Sequence, residues 1–181
     1  IRLAYAQIER EQEAMKNIQT AMGSGPWSME FNEHAQMISC TWSDTFRKML
    51  GYSSEEDFPN RLESWSDLLH GEDKERINKE YWDTVMDYTG EKTYDVEYRL
   101  LTRHTGWRWF HAVGRLSRRD DGSPINFVGL FMDIDDEKRM EEQLEKQKID
   151  LQDALAAAQH ANRAKTTFLN NMSHDIRTPM N

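Results

Sequence analysis

The sequence predicts an α+β fold, in which a five-stranded antiparallel sheet with flanking short helices lies between an N-terminal helix and a long C-terminal coiled-coil helix. Three observations support this prediction. Residues 94–100 alternate apolar with charged side chains, which is the period of a half-buried strand. Residues 43–90 place apolar side chains at helical spacing between two groups of strand-like segments. Beyond residue 134 the apolar positions settle into a heptad repeat.

Residues 1–22 are predicted to form an amphipathic helix. They contain neither Gly nor Pro, and one helix face collects the apolar residues Leu3, Ile8, Met15, Ile18 and Met22. Gly23, Gly25 and Pro26 then interrupt the helix. Residues 27–41 carry short apolar stretches around the polar turn Asn32-Glu33-His34, so we predict a hairpin of two short strands there.

The segment from residue 43 to about residue 90 is predicted to hold several short helices and one longer helix. Ser53 followed by Glu56 has the spacing of a capping box, which predicts a helix N-terminus at that point. Three strands are predicted to follow, over residues 94–100, 107–115 and 125–134. Gly-containing turns at Gly106 and Gly122 join these three strands.

The last segment of the chain carries a long apolar seam on a charged, helix-favouring background. Its positions are spaced alternately four and three residues apart: Met140, Leu144, Gln147, Leu151, Ala154, Ala158, Ala161, Lys165, Phe168 and Met172. Only Gln147 and Lys165 interrupt it. Leu155, Leu169 and Ile176 widen the stripe on one side, which suits burial in a four-helix arrangement. A single helix cannot cover such a stripe itself, so we expect self-association.

The composition limits the classes of partner. Lys and Arg number 23 against 32 Asp and Glu, a net charge of −9, and the two signs are interspersed. No cationic face is available for phosphates, so we expect neither a nucleic-acid partner nor membrane contact within this chain. The single cysteine, Cys40, excludes an internal disulfide and disfavours a zinc site, so no metal is predicted and a reducing, cytoplasmic location is expected.

No run of apolar residues approaches the roughly 20 that a membrane-spanning helix needs. The chain starts at Ile1 and stops at Asn181 in the middle of a pattern, so we expect a piece of a longer protein. Upstream segments of that parent protein could anchor it in a membrane.

One stretch of the chain resembles the C-terminal half of a PAS domain. It comprises Tyr98-Arg99-Leu100, the run from His104 to Phe110, Gly114-Arg115, Asp121-Gly122 and Phe131-Met132-Asp133-Ile134-Asp135. In that family the last strand ends in an Asp-Ile-Thr-like triplet and runs directly into a signalling helix. Here Asp135 stands at the third position of the triplet. The resemblance implies a PAS-like sensor domain over residues 23–135, preceded by a signalling helix over residues 1–22.

A second stretch, residues 168–181, reads Phe-Leu-Asn-Asn-Met-Ser-His-Asp-Ile-Arg-Thr-Pro-Met-Asn. It resembles the H-box that begins the dimerisation and phosphoacceptor (HisKA-type) domain of bacterial-type sensor histidine kinases. The two resemblances together imply a coiled-coil linker over residues 136–163 and a truncated phosphoacceptor segment over residues 164–181. They imply a two-component kinase that passes the γ-phosphate of ATP to an Asp of a response regulator.

The H-box resemblance assigns roles to three residues. His174 is the phosphoacceptor, Asp175 orients its imidazole and acts as general base, and Thr178 positions the water when the kinase works as a phosphatase. Pro179 removes a helical hydrogen bond and kinks the helix beside the histidine. The implied partners are a second copy, paired through the coiled coil and the PAS and N-terminal helix, a kinase domain that binds ATP and Mg, and a receiver domain. This chain holds no ATP site, so it should be a substrate and not an active kinase alone.

The residues themselves support this chemistry. On a helix at about 100° per residue, His174 lies roughly 200° from both Met172 and Ile176, so the imidazole faces away from the apolar seam. An imidazole is a competent nucleophile at neutral pH once one nitrogen is unprotonated. The alternative is a solvated histidine in a PAS ligand-binding or dimerisation module that has no phosphotransfer role.

The ligand of the sensor domain is left open by the sequence. Trp107, Trp109 and His111 share one predicted strand face, and such a face favours a core role over a cofactor box. A haem would use His70, although Leu68 and Leu69 beside it fit an ordinary helix end equally well. A flavin photosensor needs a reactive cysteine on a helix, whereas Cys40 lies in a predicted strand.

Overall fold

The structure is a computed structural model and describes residues 2–177. The chain divides into two units, one up to Asp136 and one from Glu137 onward. Its elements in chain order are α1 (Arg2–Ala21), β1 (Ser24–Phe31), β2 (Met37–Trp42), α2 (Asp44–Met49), α3 (Leu62–Ser66), α4 (Gly71–Val85), β3 (Tyr94–Thr102), β4 (Gly106–Arg118), β5 (Pro124–Asp133) and α5 (Asp135–Arg177).

The five strands form one sheet in the order β2-β1-β5-β4-β3, and every neighbouring pair is antiparallel. The first and last strands of the unit therefore meet in its centre, where β1 pairs with β5. This arrangement confirms the predicted fold class. The hairpin β1–β2, the helical middle and the three consecutive strands β3, β4 and β5 all lie where the sequence predicts them.

One face of the sheet is covered and forms the core. Along β3 the burial alternates, with Tyr94, Val96, Tyr98 and Leu100 inside and Asp95 between them exposed. Helix α4 supplies Ile77, Tyr81 and Val85, spaced four residues apart on one helix face and at most 3% exposed. The two periods, two for the strand and about 3.6 for the helix, place both apolar faces against each other.

The predicted capping box at Ser53 and Glu56 is wrong, because no helix begins there. The Ser53 hydroxyl donates to Asp57 Oδ2 (2.9 Å) within a run of turns. The helix cap in this region is formed earlier, where Ser43 Oγ accepts from the Phe46 N–H (3.1 Å) at the start of α2. Side-chain hydrogen bonds within a turn compete with helix formation for such residues.

The expected core role of the tryptophan face of β4 is also wrong. The buried residues of β4 are Phe110 and Ala112, which alternate with the tryptophans. Trp107 is 45% exposed, and Trp109 lies under the guanidinium of Arg99, whose Cζ is 5.2 Å from the ring centroid. Two apolar faces compete on this strand, and the helices cover the one with the phenylalanine.

A buried carboxylate ties α4 to the sheet. Asp73 is 5% exposed and accepts from Arg99 Nε (2.8 Å), Arg99 Nη2 (3.1 Å) and the Arg99 backbone N–H (3.0 Å). The hydrogen bonds from Arg99 hold the pKa of the Asp73 carboxyl below its usual value, although burial acts in the opposite direction. The pair joins residues 26 positions apart, so it fixes where the first turn of α4 docks on β3.

We expect Asp73→Asn to lower the free energy of unfolding at pH 7 by about 1.5–3 kcal/mol, the usual contribution of hydrogen bonds to a charged group. Because the folded-state pKa is depressed, this stabilisation is complete above the unfolded value near pH 4 and is lost as the pH falls through the folded value. Urea unfolding of the parental protein and Asp73→Asn from pH 7 to pH 3 measures this stabilisation. The difference between their free energies of unfolding should decrease as the pH falls.

Glu72→Gln is the matched control for Asp73→Asn. Glu72 accepts from the same guanidinium (2.8 Å), but its side chain is 75% exposed. Surface ion pairs contribute about 0–1 kcal/mol, so this variant should lose little stability. A gap for Asp73→Asn that stayed constant down to pH 3 would contradict the assigned role of the carboxylate.

Candidate functional site

Helix α5 carries the predicted phosphoacceptor near its C-terminal end. Within this helix the His174 and Asp175 side chains are 83% and 85% exposed, and His174 Nδ1 lies 3.8 Å from Asp175 Oδ1. Thr178 and Pro179 lie outside the described residues. At 3.8 Å the carboxylate is beyond hydrogen-bonding distance of the imidazole and close enough for an electrostatic interaction with it.

The apolar seam on the same helix is uncovered within the chain. Exposed fractions are 66% for Met140, 70% for Leu151, 62% for Phe168, 44% for Met172 and 62% for Ile176. Contiguous apolar surface of this kind marks an interaction site. His174, Asp175 and the seam thus share one helix, which presents the histidine to solvent beside a surface that favours burial.

The interior of the unit that ends at Asp136, called the sensory unit below, is filled by aromatic side chains. The cavity there measures about 20 Å³, enough for a single water molecule, and its walls include Trp27, Trp42, Phe46, Trp65 and Tyr98. The Trp65 indole N–H donates to the Tyr98 hydroxyl (3.0 Å), and burial raises the pKa of that phenol well above its ordinary value. Pockets that hold cofactors occupy roughly 300–1,000 Å³, and this cavity is far smaller.

The two residues that the sequence analysis considered for a cofactor are His70 for haem and Cys40 for flavin. His70 caps α4, with Nδ1 accepting from the Glu72 N–H (3.3 Å), and its ring meets Trp107 edge to face at 4.7 Å. Cys40 is 6% exposed on β2. Burial, with a smaller contribution from Glu63, raises the pKa of its thiol to about 12, so the sulphur is protonated at neutral pH.

An ionic cluster lies where the chain passes from β5 into α5. Arg108 Nε donates to Asp133 Oδ2 (2.9 Å), and Arg108 Nη2 lies 4.0 Å from Asp135 Oδ2. Asp135 is 4% exposed, and its Oδ1 accepts from the Trp109 N–H (3.1 Å). The carboxylate at the third position of the triplet therefore bonds the neighbouring strand directly and fixes the first residue of α5.

Sequence reasoning identified the triplet but missed its partner Arg108. It also missed Asp73 with Arg99 and the contacts of Tyr81 with two methionines. The signal for Arg108 was present in the β4–β5 register, which pairs Phe110 with Asp133 and so brings residue 108 near the end of β5. That register could be derived only after the length of the turn between the two strands was known.

These features define the class of protein: an α+β domain whose last strand leads into a long helix with an exposed His–Asp pair. A family model described as PAS fold matches residues 39–131, so the chain belongs to the PAS-fold family.

Two sensor proteins are among its relatives. Sensor protein FixL of Bradyrhizobium diazoefficiens is 27% identical over 135 residues, which cover 74% of this chain and 25% of that protein. Virulence sensor protein BvgS of Bordetella pertussis is 71% identical over 87 residues, 48% of this chain and 6% of that protein. The chain spans a quarter or less of the length of the curated relatives it matches.

A solved structure supports the fold. A sensory box histidine kinase/response regulator from Burkholderia thailandensis has a TM-score of 0.60 and 26% identity, covering 76% of this chain and 97% of that one. Of these similar proteins, the solved one is named as a sensory box histidine kinase, and the PAS fold is common to it and to this chain. None of the helices within residues 2–177 combines the length and apolar character needed to cross a membrane.

Proposed function

We propose that this chain is the sensory and phosphoacceptor portion of a two-component histidine kinase, in which His174 accepts the γ-phosphate of ATP and passes it to a response-regulator Asp. The observation that carries the proposal is the exposed His174–Asp175 pair on a helix with an uncovered apolar seam. The similarity to two sensor proteins and to a sensory box histidine kinase supports it. ATP and Mg would be bound by a separate kinase domain.

In the proposed reaction Nε2 of His174 attacks the γ-phosphorus in line, the bond to the bridging oxygen breaks, and ADP leaves with that electron pair. The imidazole becomes positively charged as the bond forms. Asp175, whose Oδ1 lies 3.8 Å from Nδ1, would move to hydrogen-bonding distance, hold the proton on that nitrogen and stabilise the developing charge. Thr178 would position the water that hydrolyses the phosphoaspartate of the partner.

Transfer of radiolabel from ATP to this chain tests the proposal. The ATP-binding domain of a histidine kinase is supplied in trans, and the label is then tested for its stability. Phosphohistidine is labile to acid and stable to alkali, so label with those properties is the expected result. Label that survives acid would place the phosphate on another residue and contradict the proposal.

The sensory unit is proposed to act on His174 through the helix that leaves the sheet at Asp135. The Arg108 cluster fixes the first residue of that helix, so a change in the sheet would be passed to α5 at this point. The seam of α5 pairs with a second copy, and a shift in that pairing changes the access of the kinase domain to His174. The mixed seam suits two states, because Gln147 and Lys165 occupy core positions at a cost in stability.

Replacing Gln147 and Lys165 by Leu should lock the output of the full-length kinase. Two further apolar residues stabilise one arrangement of the seam, and we expect the melting temperature of the paired helices to rise by roughly 5 °C or more. Autophosphorylation should then no longer respond to the conditions that change the activity of the parental kinase.

The matched control for that double variant places Leu at Lys146 and Gln152, which lie on the same helix off the seam. Its switching and melting temperature should equal those of the parental protein. If the seam variant is still regulated normally, the two-state coiled coil is not the relay.

The runner-up function is a PAS sensing or dimerisation module without phosphotransfer. The uncovered apolar residues on α1, among them Ile8 and Met15 at 51% and 56% exposure, favour it, since they offer a pairing surface that needs no reactive histidine. Signalling that remains intact in a full-length His174→Gln protein would favour this function over phosphotransfer.

A further inference from the structure

Two methionines share one tyrosine hydroxyl inside the sensory unit. The Tyr81 hydroxyl on α4 lies 3.3 Å from Met29 Sδ on β1 and 4.0 Å from Met37 Sδ on β2. A tyrosine hydroxyl carries one hydrogen, so it donates to one sulphur at a time. The distances assign that hydrogen to Met29 and leave Met37 as the alternative acceptor.

The two sulphurs differ in their access to solvent. Met29 is 3% exposed, as is Tyr81. Met37 is only partly buried, and it lies on β2, which is an edge strand of the sheet. A small oxidant therefore meets Met37 before Met29.

The neighbouring thiol does not compete for the oxidant. Cys40 pairs across the strands with Met29 and is 6% exposed. Burial keeps its thiol protonated, with a pKa of about 12, and the protonated form is a poor nucleophile toward peroxides. Thioether oxidation needs no deprotonation, so Met37 is the reactive sulphur of this cluster.

We propose that Met37 is an oxidation site for peroxides, and that its sulfoxide takes the Tyr81 hydroxyl from Met29. The thioether sulphur of Met37 attacks one oxygen of hydrogen peroxide, the O–O bond breaks, and the second oxygen leaves as hydroxide. That hydroxide takes the proton of the attacked oxygen and becomes water. The products are methionine sulfoxide and water. Reduction back to methionine consumes a thiol-based reductant through methionine sulfoxide reductases.

The geometry supports the exchange of partners. A thioether is a weak acceptor, whereas a sulfoxide is polar and carries its oxygen one bond length away from the sulphur. An O–H···O bond spans about 2.7 Å, so an oxygen on a sulphur 4.0 Å away can reach the hydroxyl. The hydrogen bond then joins α4 to the edge strand β2 in place of the interior strand β1.

A thermodynamic cycle that combines oxidation with removal of the Tyr81 hydroxyl tests the proposal. The full chain and its Tyr81→Phe variant are each unfolded in urea before and after treatment with hydrogen peroxide, and peptide mass spectrometry measures the sulfoxide at each methionine. Oxidation should reduce the folding equilibrium constant roughly 3- to 10-fold more in Tyr81→Phe, because the sulfoxide there lacks its donor. Other exposed methionines are oxidised in both proteins, so their effects on stability cancel in the comparison.

Two further variants sharpen the cycle. In a Met37→Leu background the difference between the two proteins should vanish, whereas in a Met86→Leu background it should persist, since Met86 is a 51% exposed surface residue. Equal effects of peroxide on the full chain and Tyr81→Phe would overturn the proposal. So would oxidation of Met29 as fast as that of Met37.

Discussion

Replacing His174 by Gln should abolish the acid-labile label that this chain receives from a kinase domain in trans. Glutamine keeps a polar side chain of similar reach but has no nitrogen lone pair that can attack phosphorus. His160 provides the matched control, because it is a second exposed histidine on the same helix. His160→Gln should therefore be labelled at the parental rate.

The same assay tests the role of Asp175. If its carboxylate orients Nδ1 and stabilises the charged imidazole, Asp175→Asn should slow labelling by roughly 10²- to 10⁴-fold, the usual contribution of a positioned acid or base. Asp153→Asn changes an exposed carboxylate elsewhere on α5 and should leave the rate unchanged. Label that persists in His174→Gln would refute the assignment of the nucleophile.

The largest effect on stability is expected from Gly129→Ala in the central strand β5. A Cβ at this position would overlap both the carbonyl oxygen of Val113 and the indole of Trp27. The first contact is with the backbone of the neighbouring strand, which cannot move without breaking the sheet. We expect the free energy of unfolding, measured in urea, to fall by roughly 3 kcal/mol or more.

Two other glycines make this prediction specific. At Gly71, the first residue of α4, an added Cβ would have no neighbour within 4 Å, so Gly71→Ala should be neutral or stabilise by up to about 1 kcal/mol. At Gly114 the nearest atoms to an added Cβ belong to side chains, with Phe127 Cε2 at 2.7 Å and Trp27 Cη2 at 2.8 Å. Gly114→Ala should therefore be partly rescued by Trp27→Leu, whereas Gly129→Ala should not be. Rescue of both would show that no backbone clash exists at Gly129.

The paired glycines explain why the interior of this domain is closed. Gly114 and Gly129 face each other across β4 and β5, and the Trp27 ring occupies the space that their missing side chains leave. Trp27 in turn packs edge to face on Phe127 at 4.8 Å. A large residue from the first strand thus fills the space that the two glycines leave on this face of the sheet.

Local patterns in the sequence were sufficient for the elements and their order. The alternation of residues 94–100 specified β3, and the heptad spacing from Met140 to Met172 specified the long helix α5. Both patterns repeat over a few residues, so each can be recognised without knowledge of the remaining chain. The phosphoacceptor prediction at His174 depends in the same way on a contiguous motif.

The covered face of β4 was decided only by the tertiary structure. One face of that strand carries Trp107 and Trp109 and the other carries Phe110 and Ala112, and the sequence favoured the tryptophans for the core. The structure buries Phe110 and Ala112, because their face is the one that continues the buried row of β5, with Ala112 directly opposite Phe131. Strand alternation shows that two faces exist, and only the neighbouring strands and helices select between them.

The sequence by itself therefore determined the α+β class, the order of the elements and the helix that carries His174, since these follow from short-range periodicity. The tertiary structure alone decided the Arg108 cluster with Asp133, the Asp73–Arg99 pair and the Tyr81 hydroxyl shared by two methionines. These contacts join residues 25, 26 and 52 positions apart. Such contacts depend on the register of strands and the docking of helices, and packing of the whole core sets both.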